Sequence, residues 1–217
     1  MITNICFHGI GACGREREPG EAGYWVGHDT FLRILDALVD MPTVWISFDD
    51  GNRSDVDLAL PALQERGMSA IFFALAGRLD DPASLSPSDL RHLRGAGMEV
   101  GSHGWSHVPL SRLSPGDAHR ELVDARIALQ EASGGAVTDI ALPLGRYDRE
   151  LLKRLKAQRY RTVFTSDRFP ARSGSWLQAR FSVKAGDTAG SVRHHAVHRV
   201  GMTDGKNLAK SLIKRLR

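Results

Sequence analysis

Two adjacent carboxylates follow a short apolar segment early in the chain. Thr43 to Phe48 has the character of a buried strand, and Asp49, Asp50 and Gly51 follow it directly. An unpaired buried charge is costly unless a metal ion or hydrogen-bond donors satisfy it. Because neighbouring residues of a strand point to opposite faces, one carboxylate can face a metal ion while the other serves a different purpose. The pair therefore predicts half of a metal-hydrolase site.

Two histidines four positions apart, His103 and His107, provide the other half. At this spacing we expect both imidazoles on one side of a helical turn, where they can reach one ion. With Asp50 they form a set of three ligands that leaves positions open for water and substrate, as a catalytic site needs. Such a histidine pair also arises by chance in structural or solvated positions, but the acidic pair at a strand end favours a metal site.

Asp49 is then the candidate general base. A metal ion lowers the pKa of its bound water, and a neighbouring carboxylate can take the proton as the water attacks a carbonyl carbon. The alternative is that Asp49 only accepts hydrogen bonds from the loop that follows it.

Alternating strands and helices must position these residues. The predicted strands cover residues 2–8, 43–48, 69–75, 98–101, 138–142, 161–166 and 176–183, and helical patterns lie between most of them. This order predicts an α/β fold with a parallel sheet or barrel, in which catalytic side chains gather where strands end. The acids, the histidines and Asp167 all lie at or just after predicted strand ends.

Composition limits the other functional classes. A length of 217 residues suits one domain covering residues 1–217. The net charge of +4 is concentrated in residues 206–217, without interleaved aromatic residues, so we expect no nucleic-acid partner. No signal peptide is recognisable, no run approaches the ~20 apolar residues of a spanning helix, and two cysteines are too few for a disulfide framework. We therefore expect a cytoplasmic protein with reduced thiols.

Two segments together resemble the first two motifs of the polysaccharide deacetylases, carbohydrate esterase family 4. They are Ser47–Gly51 and Ser102–His107, and the resemblance extends from Phe7 to about Val183. It implies a distorted, incomplete (β/α) barrel and the removal of acetyl groups from N-acetylated sugars.

The resemblance also implies roles for the site residues. Asp50, His103 and His107 would be the ligands of a divalent metal ion, and Asp49 would be the base. We predict zinc as the metal, with cobalt, nickel or manganese as alternatives.

The third and fourth motifs show one departure and one match. Ala141 stands where the third motif normally carries an arginine that supports the base. The proline and glycine on either side of Leu144 match, so the Leu144 backbone N–H could complete an oxyanion hole. Arg146 and Arg180 are the two candidates to replace the missing guanidinium or to contact substrate. Asp167 resembles the aspartate of the fourth motif, which implies a catalytic role.

The general acid requires a separate assignment, because no histidine occupies the fifth motif at Leu177–Arg180. Some family members with a rearranged strand order begin with an aromatic residue and a histidine in the first strand. Phe7 and His8 resemble that arrangement, so we predict His8 as the general acid. Three late histidines compete for the role: His194, His195 and His198.

The C-terminal segment carries an apolar stripe flanked by lysines and arginines, formed by Leu208, Leu212, Ile213 and Leu216. We expect the stripe to pack on the domain. Weak contact of this basic helix with an anionic membrane surface is the alternative.

The sequence thus predicts a metal-dependent deacetylase of an N-acetylated amino sugar. Because a protein without a secretion signal does not meet finished extracellular polymer, we expect a small, lipid-linked or nucleotide-linked precursor of a cell-surface glycan. One alternative is hydrolysis of a non-sugar linear amide or cyclic imide. Another is a catalytically weak glycan-binding protein, which the missing third-motif arginine and fifth-motif histidine keep open.

Overall fold

Seven parallel strands form a closed barrel, and two shorter strands pair beside it. The computed structural model of the protein describes residues 1–197 and 202–216. In chain order the strands are β1 (Thr3–Phe7), β2 (Gly9–Ile10), β3 (Trp25–Val26), β4 (Val44–Phe48), β5 (Ala70–Ala74), β6 (Glu99–Ser102), β7 (Asp139–Ala141), β8 (Thr162–Thr165) and β9 (Leu177–Ser182). β2 pairs with β3. The other seven strands form the barrel, which closes where β1 pairs with β9.

The predicted fold class is confirmed. A complete barrel of this type has eight strands, each followed by a helix, and this barrel has seven. The seven predicted strands all form; six are shortened by one or more residues relative to their predicted ranges, and β6 keeps its predicted length but is shifted by one residue.

Helices cover the outside of the barrel. They are α1 (His28–Leu38), α2 (Leu60–Glu65), α3 (Pro87–Gly95), α4 (Pro115–His119), α5 (Ala125–Ser133), α6 (Arg149–Ala157), α7 (Ala189–Val197) and α8 (Met202–Leu216). Wide π-type turns at Asp55–Ala59 and Arg120–Asp124 lead into α2 and α5, and short 3₁₀ turns form at Glu21–Tyr24, Ala76–Arg78 and Pro143–Gly145. The sequence pattern did not predict α7, because only Val192 and Ala196 of that helix are buried and the apolar periodicity is correspondingly weak.

The alternation of side chains along β4 divides the packed core from the site. Phe48 points outward, where its ring stacks on Phe72 with centroids 4.7 Å apart and meets Phe31 of α1 edge to face. Ser47 and Asp49 share the opposite side and point into the barrel, because side chains alternate along a strand. Asp49 is therefore held at the inner mouth of the barrel by the same periodicity that builds the core.

The expectation that the C-terminal apolar stripe packs on the domain is wrong. Helix α8 contacts the barrel through polar side chains: Ser211 hydrogen-bonds to Tyr147, and Asn207 donates to the Arg168 carbonyl oxygen. Leu208, Leu212, Ile213 and Leu216 are exposed. The barrel surface beneath α8 presents buried polar groups that need partners, so the polar face of the helix covers them. Over the described ranges, no helix has both the length and the apolar character that crossing a bilayer requires.

Candidate active site

A pocket of about 330 Å³ opens at the carboxyl ends of the barrel strands. Asp49 and Asp50 follow β4, His103 follows β6, and His8 follows β1. The loop between β2 and β3 forms one wall, through residues 18–21 and Tyr24. In barrels of this class the chemistry takes place at this end, so the pocket is the candidate active site.

Three predicted ligands converge in this pocket. Oδ1 of Asp50 lies 3.5 Å from Nε2 of His103 and 3.3 Å from Nε2 of His107. This oxygen is buried and has no hydrogen-bond partner among the described residues. An unsatisfied buried carboxylate oxygen is costly, so its position between two imidazoles favours a cation. Two imidazoles and one carboxylate are also a donor set that suits zinc with open positions.

The imidazole of His103 is held in the tautomer that metal binding needs. Nδ1 of His103 lies 2.9 Å from the Ala141 carbonyl oxygen, which can only accept, so the ring proton lies on Nδ1 and Nε2 is free for an ion. Burial lowers the pKa of His103 to about 4 although Asp49 and Asp50 oppose the shift. The ring is therefore neutral at ordinary pH, as a metal ligand must be.

The prediction that the two histidines lie on a helical turn is wrong. His103 to His107 is a loop after β6, with left-handed backbone at Gly104 (φ 87°) and His107 (φ 57°). The carboxylate of Glu121 accepts the backbone N–H groups of Trp105 and Ser106 at 2.6 and 3.1 Å, which satisfies donors that a helix would have used. The loop folds back on itself, and this brings the rings of His103 and His107 to the same carboxylate oxygen of Asp50.

Asp49 forms a two-pronged ion pair with Arg180. Nη1 and Nη2 of Arg180 lie 2.6 and 2.7 Å from Oδ1 and Oδ2 of Asp49, and Nη1 also donates to Ser47 Oγ at 3.0 Å. Burial by itself would raise the pKa of Asp49, but the Arg180 guanidinium and then His103 outweigh it and hold the pKa well below its usual range. Asp49 is thus ionised and fixed in orientation. Arg146, the other candidate, is exposed and lines the pocket without pairing with Asp49.

His8 lies beside the carboxylate of Asp49. A ring nitrogen of His8, an oxygen of Asp49 and Sγ of Cys6 lie within 4.8 Å of one another, and the His8 ring packs on Tyr24. This second donor set does not suit an ion, because both Asp49 oxygens already accept from Arg180. Burial also raises the pKa of the Cys6 thiol well above its usual range, so the sulfur stays protonated.

The late histidines lie elsewhere. His194 and His195 are on α7, which packs against α1, and the His195 ring stacks on Phe181 with centroids 4.8 Å apart. His198 lies outside the described residues. Among the described residues that line the pocket, His8 is the only histidine besides the two candidate ligands.

A sequence model of the family described as polysaccharide deacetylase matches residues 38–163, more than half of the chain. The chain belongs to the polysaccharide deacetylase family. The matched span contains both motifs that converge on the pocket.

Individual relatives are similar over parts of their length. The putative polysaccharide deacetylase YxkH of Bacillus subtilis is 27% identical over 124 residues, which is 57% of this chain and 44% of YxkH. The peptidoglycan-N-acetylmuramic acid deacetylase PdaC of the same organism is 27% identical over 168 residues, 77% of this chain and 35% of PdaC. The chain thus spans less than half the length of each. The Streptococcus pyogenes deacetylase PplD, solved in complex with acetate, shares the fold with a TM-score of 0.78 at 18% identity, covering 91% of this chain and 98% of that chain.

Three of the six non-glycine residues that have left-handed backbone in the described part of the chain lie at the deacetylase-family motifs. Leu144 has φ 56° in the turn after β7, Asp50 has φ 75°, and His107 shares the left-handed region. A side chain in this region costs on the order of 1–3 kcal/mol and persists where the surroundings impose it, often at functional sites. The exposed Leu144 side chain forms part of the pocket wall.

Asp167 is placed differently from the other predicted site residues. Its carboxylate accepts from Tyr147 Oη at 2.6 Å and Thr165 Oγ1 at 2.9 Å, and it pairs with Lys214 Nζ at 2.6 Å. None of these partners is an acid or histidine of the pocket. The catalytic role of Asp167 stays a prediction, and its contacts favour support of the pocket wall.

Glu18 is a site residue that the sequence reasoning missed. It lies in the glycine-rich loop before β3, and its two carboxylate oxygens are 2.6 and 2.7 Å from Nδ1 of His107. Arg78 donates to the same carboxylate at 2.8 Å. Glu18 therefore holds the proton on Nδ1 and directs Nε2 toward Asp50. A loop of this length is often functional, but no spacing in the sequence pointed to this residue.

Replacing Glu18 by alanine should weaken zinc binding by about 10–100-fold, the usual effect of removing a group that orients a ligand histidine. The measurement is competition with a chromophoric zinc chelator. Glu16→Ala is the matched control, because Glu16 lies on the same loop and accepts from the Ala22 backbone N–H without contacting His107. Equal zinc affinities for the two variants would contradict the assigned role.

Proposed function

We propose that the pocket hydrolyses the acetamide group of an N-acetylated amino sugar with the aid of a divalent metal ion. The observation that carries the proposal is the meeting of two motifs at one point, with an ionised Asp49 held by Arg180 beside the donor set of Asp50, His103 and His107. The family supports the reaction class. The peptidoglycan-N-acetylmuramic acid deacetylase PdaC supports an amino sugar as substrate.

Asp50, His103 and His107 would hold the ion. When bound, a divalent ion supplies Lewis acidity, which polarises a carbonyl group and lowers the pKa of water. Zinc is our first choice for two imidazoles and a carboxylate, with cobalt, nickel and manganese as alternatives.

Asp49 takes the proton of the attacking water in this proposal. Arg180 donates a hydrogen bond to each oxygen of the Asp49 carboxylate, so the carboxylate cannot rotate away from the pocket. The same contact lowers the pKa of Asp49 and keeps its carboxylate ionised, so the carboxylate can accept a proton but is a weak base. Proton transfer to it therefore requires a water whose own pKa has been lowered.

Leu144 and His8 complete the proposed reaction. The backbone N–H of Leu144, in its left-handed turn on the pocket wall, would donate to the oxygen that becomes negative during attack. His8 would protonate the leaving amine, a task that suits an imidazole near neutral pH. Its Nδ1 is buried and has no partner in the described part of the chain. Arg146, exposed at the pocket rim, would contact the glycan.

The purified protein loaded with zinc should release acetate from oligomers of N-acetylglucosamine or from glycans that contain N-acetylmuramic acid. Removing the metal with a chelator should abolish release, and adding zinc should restore it, because water at neutral pH is too weak an acid for Asp49 to deprotonate unaided. Acetate is measured enzymatically, and metal content by mass spectrometry.

Full activity of the metal-free protein would contradict the metal assignment. Ring opening of cyclic imides without acetate release from any sugar would instead support the non-sugar alternative. Binding of glycan without turnover would support the binding-protein alternative, although the contact between Arg180 and Asp49 removes one of its two arguments. A cytoplasmic location and a lipid-linked or nucleotide-linked precursor as substrate stay predictions.

A further inference from the structure

Helix α8 presents a continuous apolar face to solvent. The exposed fractions are 41% for Leu208, 47% for Leu212, 53% for Ile213 and 78% for Leu216. At 3.6 residues per turn these four positions fall within an arc of about 140°. Single exposed apolar residues are ordinary on a protein surface, but a stripe of four on one helix is the pattern of an interaction face.

Basic side chains border this face. Lys206 and Lys210 are exposed along the edge next to Ile213, and half-buried Arg215 lies on the opposite edge next to Leu208. From residue 205 to residue 216 the helix carries no acidic residue. An apolar stripe bordered by cations complements a lipid surface that offers acyl chains beneath anionic headgroups.

A second copy of this chain fits the face less well. In a symmetric pair each face meets its own copy, so the same surface occurs on both sides. The lysines along one edge would then approach basic residues of the partner without acidic groups between them. Like-charge contacts of this kind disfavour association.

Ion pairing attaches α8 to the rim of the pocket. Nζ of Lys214, on the side of the helix that faces the barrel, lies 2.6 Å from Asp167 Oδ1 and 3.0 Å from the carbonyl oxygen of Gly145. Gly145 lines the pocket directly after Leu144. The part of α8 that carries Lys214 therefore lies beside the rim of the pocket.

We propose that the face formed by Leu208, Leu212, Ile213 and Leu216 docks on an anionic lipid surface and presents the pocket to glycans attached to that surface. Docking itself does not depend on the deacetylase activity. The inference about membrane-attached substrate rests on the proposed function.

The test is co-sedimentation of the full chain with vesicles of phosphatidylcholine alone or with one third phosphatidylglycerol. We expect binding to the anionic vesicles, weaker binding at high salt, and at least a tenfold loss of binding for the double variant Leu212→Gln and Ile213→Gln, because both side chains would leave the acyl region. Ile127→Gln is the matched control, since Ile127 on α5 is also 47% exposed but lies outside the face.

Two further measurements separate the explanations. Acetate release from a soluble N-acetylglucosamine oligomer should be the same in wild type and double variant, so a loss of docking is distinguishable from a failure of the proposed function. Circular dichroism checks that the double variant folds. Wild-type protein that stays in the supernatant with both vesicles would overturn the proposal. So would a wild-type dimer that the double variant converts to monomer, because a second copy would then occupy the face.

Discussion

Replacing Asp49 by asparagine should lower the rate of acetate release by about 10²–10⁴-fold, the range for loss of a positioned general base. Zinc binding should remain, because the three side chains that would hold the ion are those of Asp50, His103 and His107. The asparagine side chain has nearly the same shape as aspartate, and its one carbonyl oxygen can still accept a hydrogen bond from Arg180. Turnover under saturating substrate and metal content measured on the same sample check this result.

Asp50→Ala is the informative comparison for this experiment. It removes a donor oxygen instead of the base, so both zinc affinity and turnover should fall. If Asp49→Asn lost its metal and Asp50→Ala kept it, the two neighbouring acids would have exchanged roles. Thermal unfolding of each variant separates loss of chemistry from loss of the folded state.

Replacing Arg180 by methionine should lower the free energy of unfolding by about 3–5 kcal/mol, because it leaves the Asp49 carboxylate buried without its partner. The arginine side chain is 1% exposed and the aspartate 5%, so the pair is buried from bulk solvent. Activity should fall as well, since the base loses both its orientation and its ionised state. Urea unfolding followed by fluorescence gives the stability.

The pH dependence of this loss has a definite sign. In the wild type the pKa of Asp49 is lowered from its usual 3.8, so the stabilisation is present above that value and is lost only as the pH falls toward the folded pKa. Without Arg180, burial raises the pKa of Asp49. Acid then neutralises the unpaired carboxylate, and the stability gap between wild type and Arg180→Met should narrow as the pH falls. A gap that stayed constant down to pH 4 would contradict the pairing. The double variant Asp49→Leu with Arg180→Met should recover much of the stability and none of the activity.

The barrel could be predicted from the sequence because the apolar patterns of its strands and helices are local and recur along the chain. Apolar runs such as Ala70–Ala74 cannot face water, and helices such as α1 carry buried residues on one face with Phe31 and Leu35 in phase. Strands that alternate with helices leave few arrangements that bury both. Helix α7 was missed because it is short and the apolar pattern of its sequence is weak.

The residues proposed as ligands and base could also be predicted from the sequence. Residue types with strong chemical preferences occurred at strand ends, where a barrel of this class gathers its chemistry. The local geometry of the His103–His107 segment could not be predicted. The segment is a loop with left-handed residues held by Glu121, and the spacing of the two histidines does not distinguish such a loop from a helical turn.

By itself, the sequence determined the barrel and the acids and histidines that lie together at the carboxyl ends of its strands. Only the tertiary structure decided which arginine supports Asp49, since Arg180 lies 131 positions away along the chain and reaches it across the barrel interior. It also decided that Glu18, 89 positions from His107, orients that ligand. For α8, periodicity shows two faces but not which one turns inward. The inward face depends on buried polar partners from other segments, Asp167 and Tyr147, and such long-range pairing leaves no mark in local sequence.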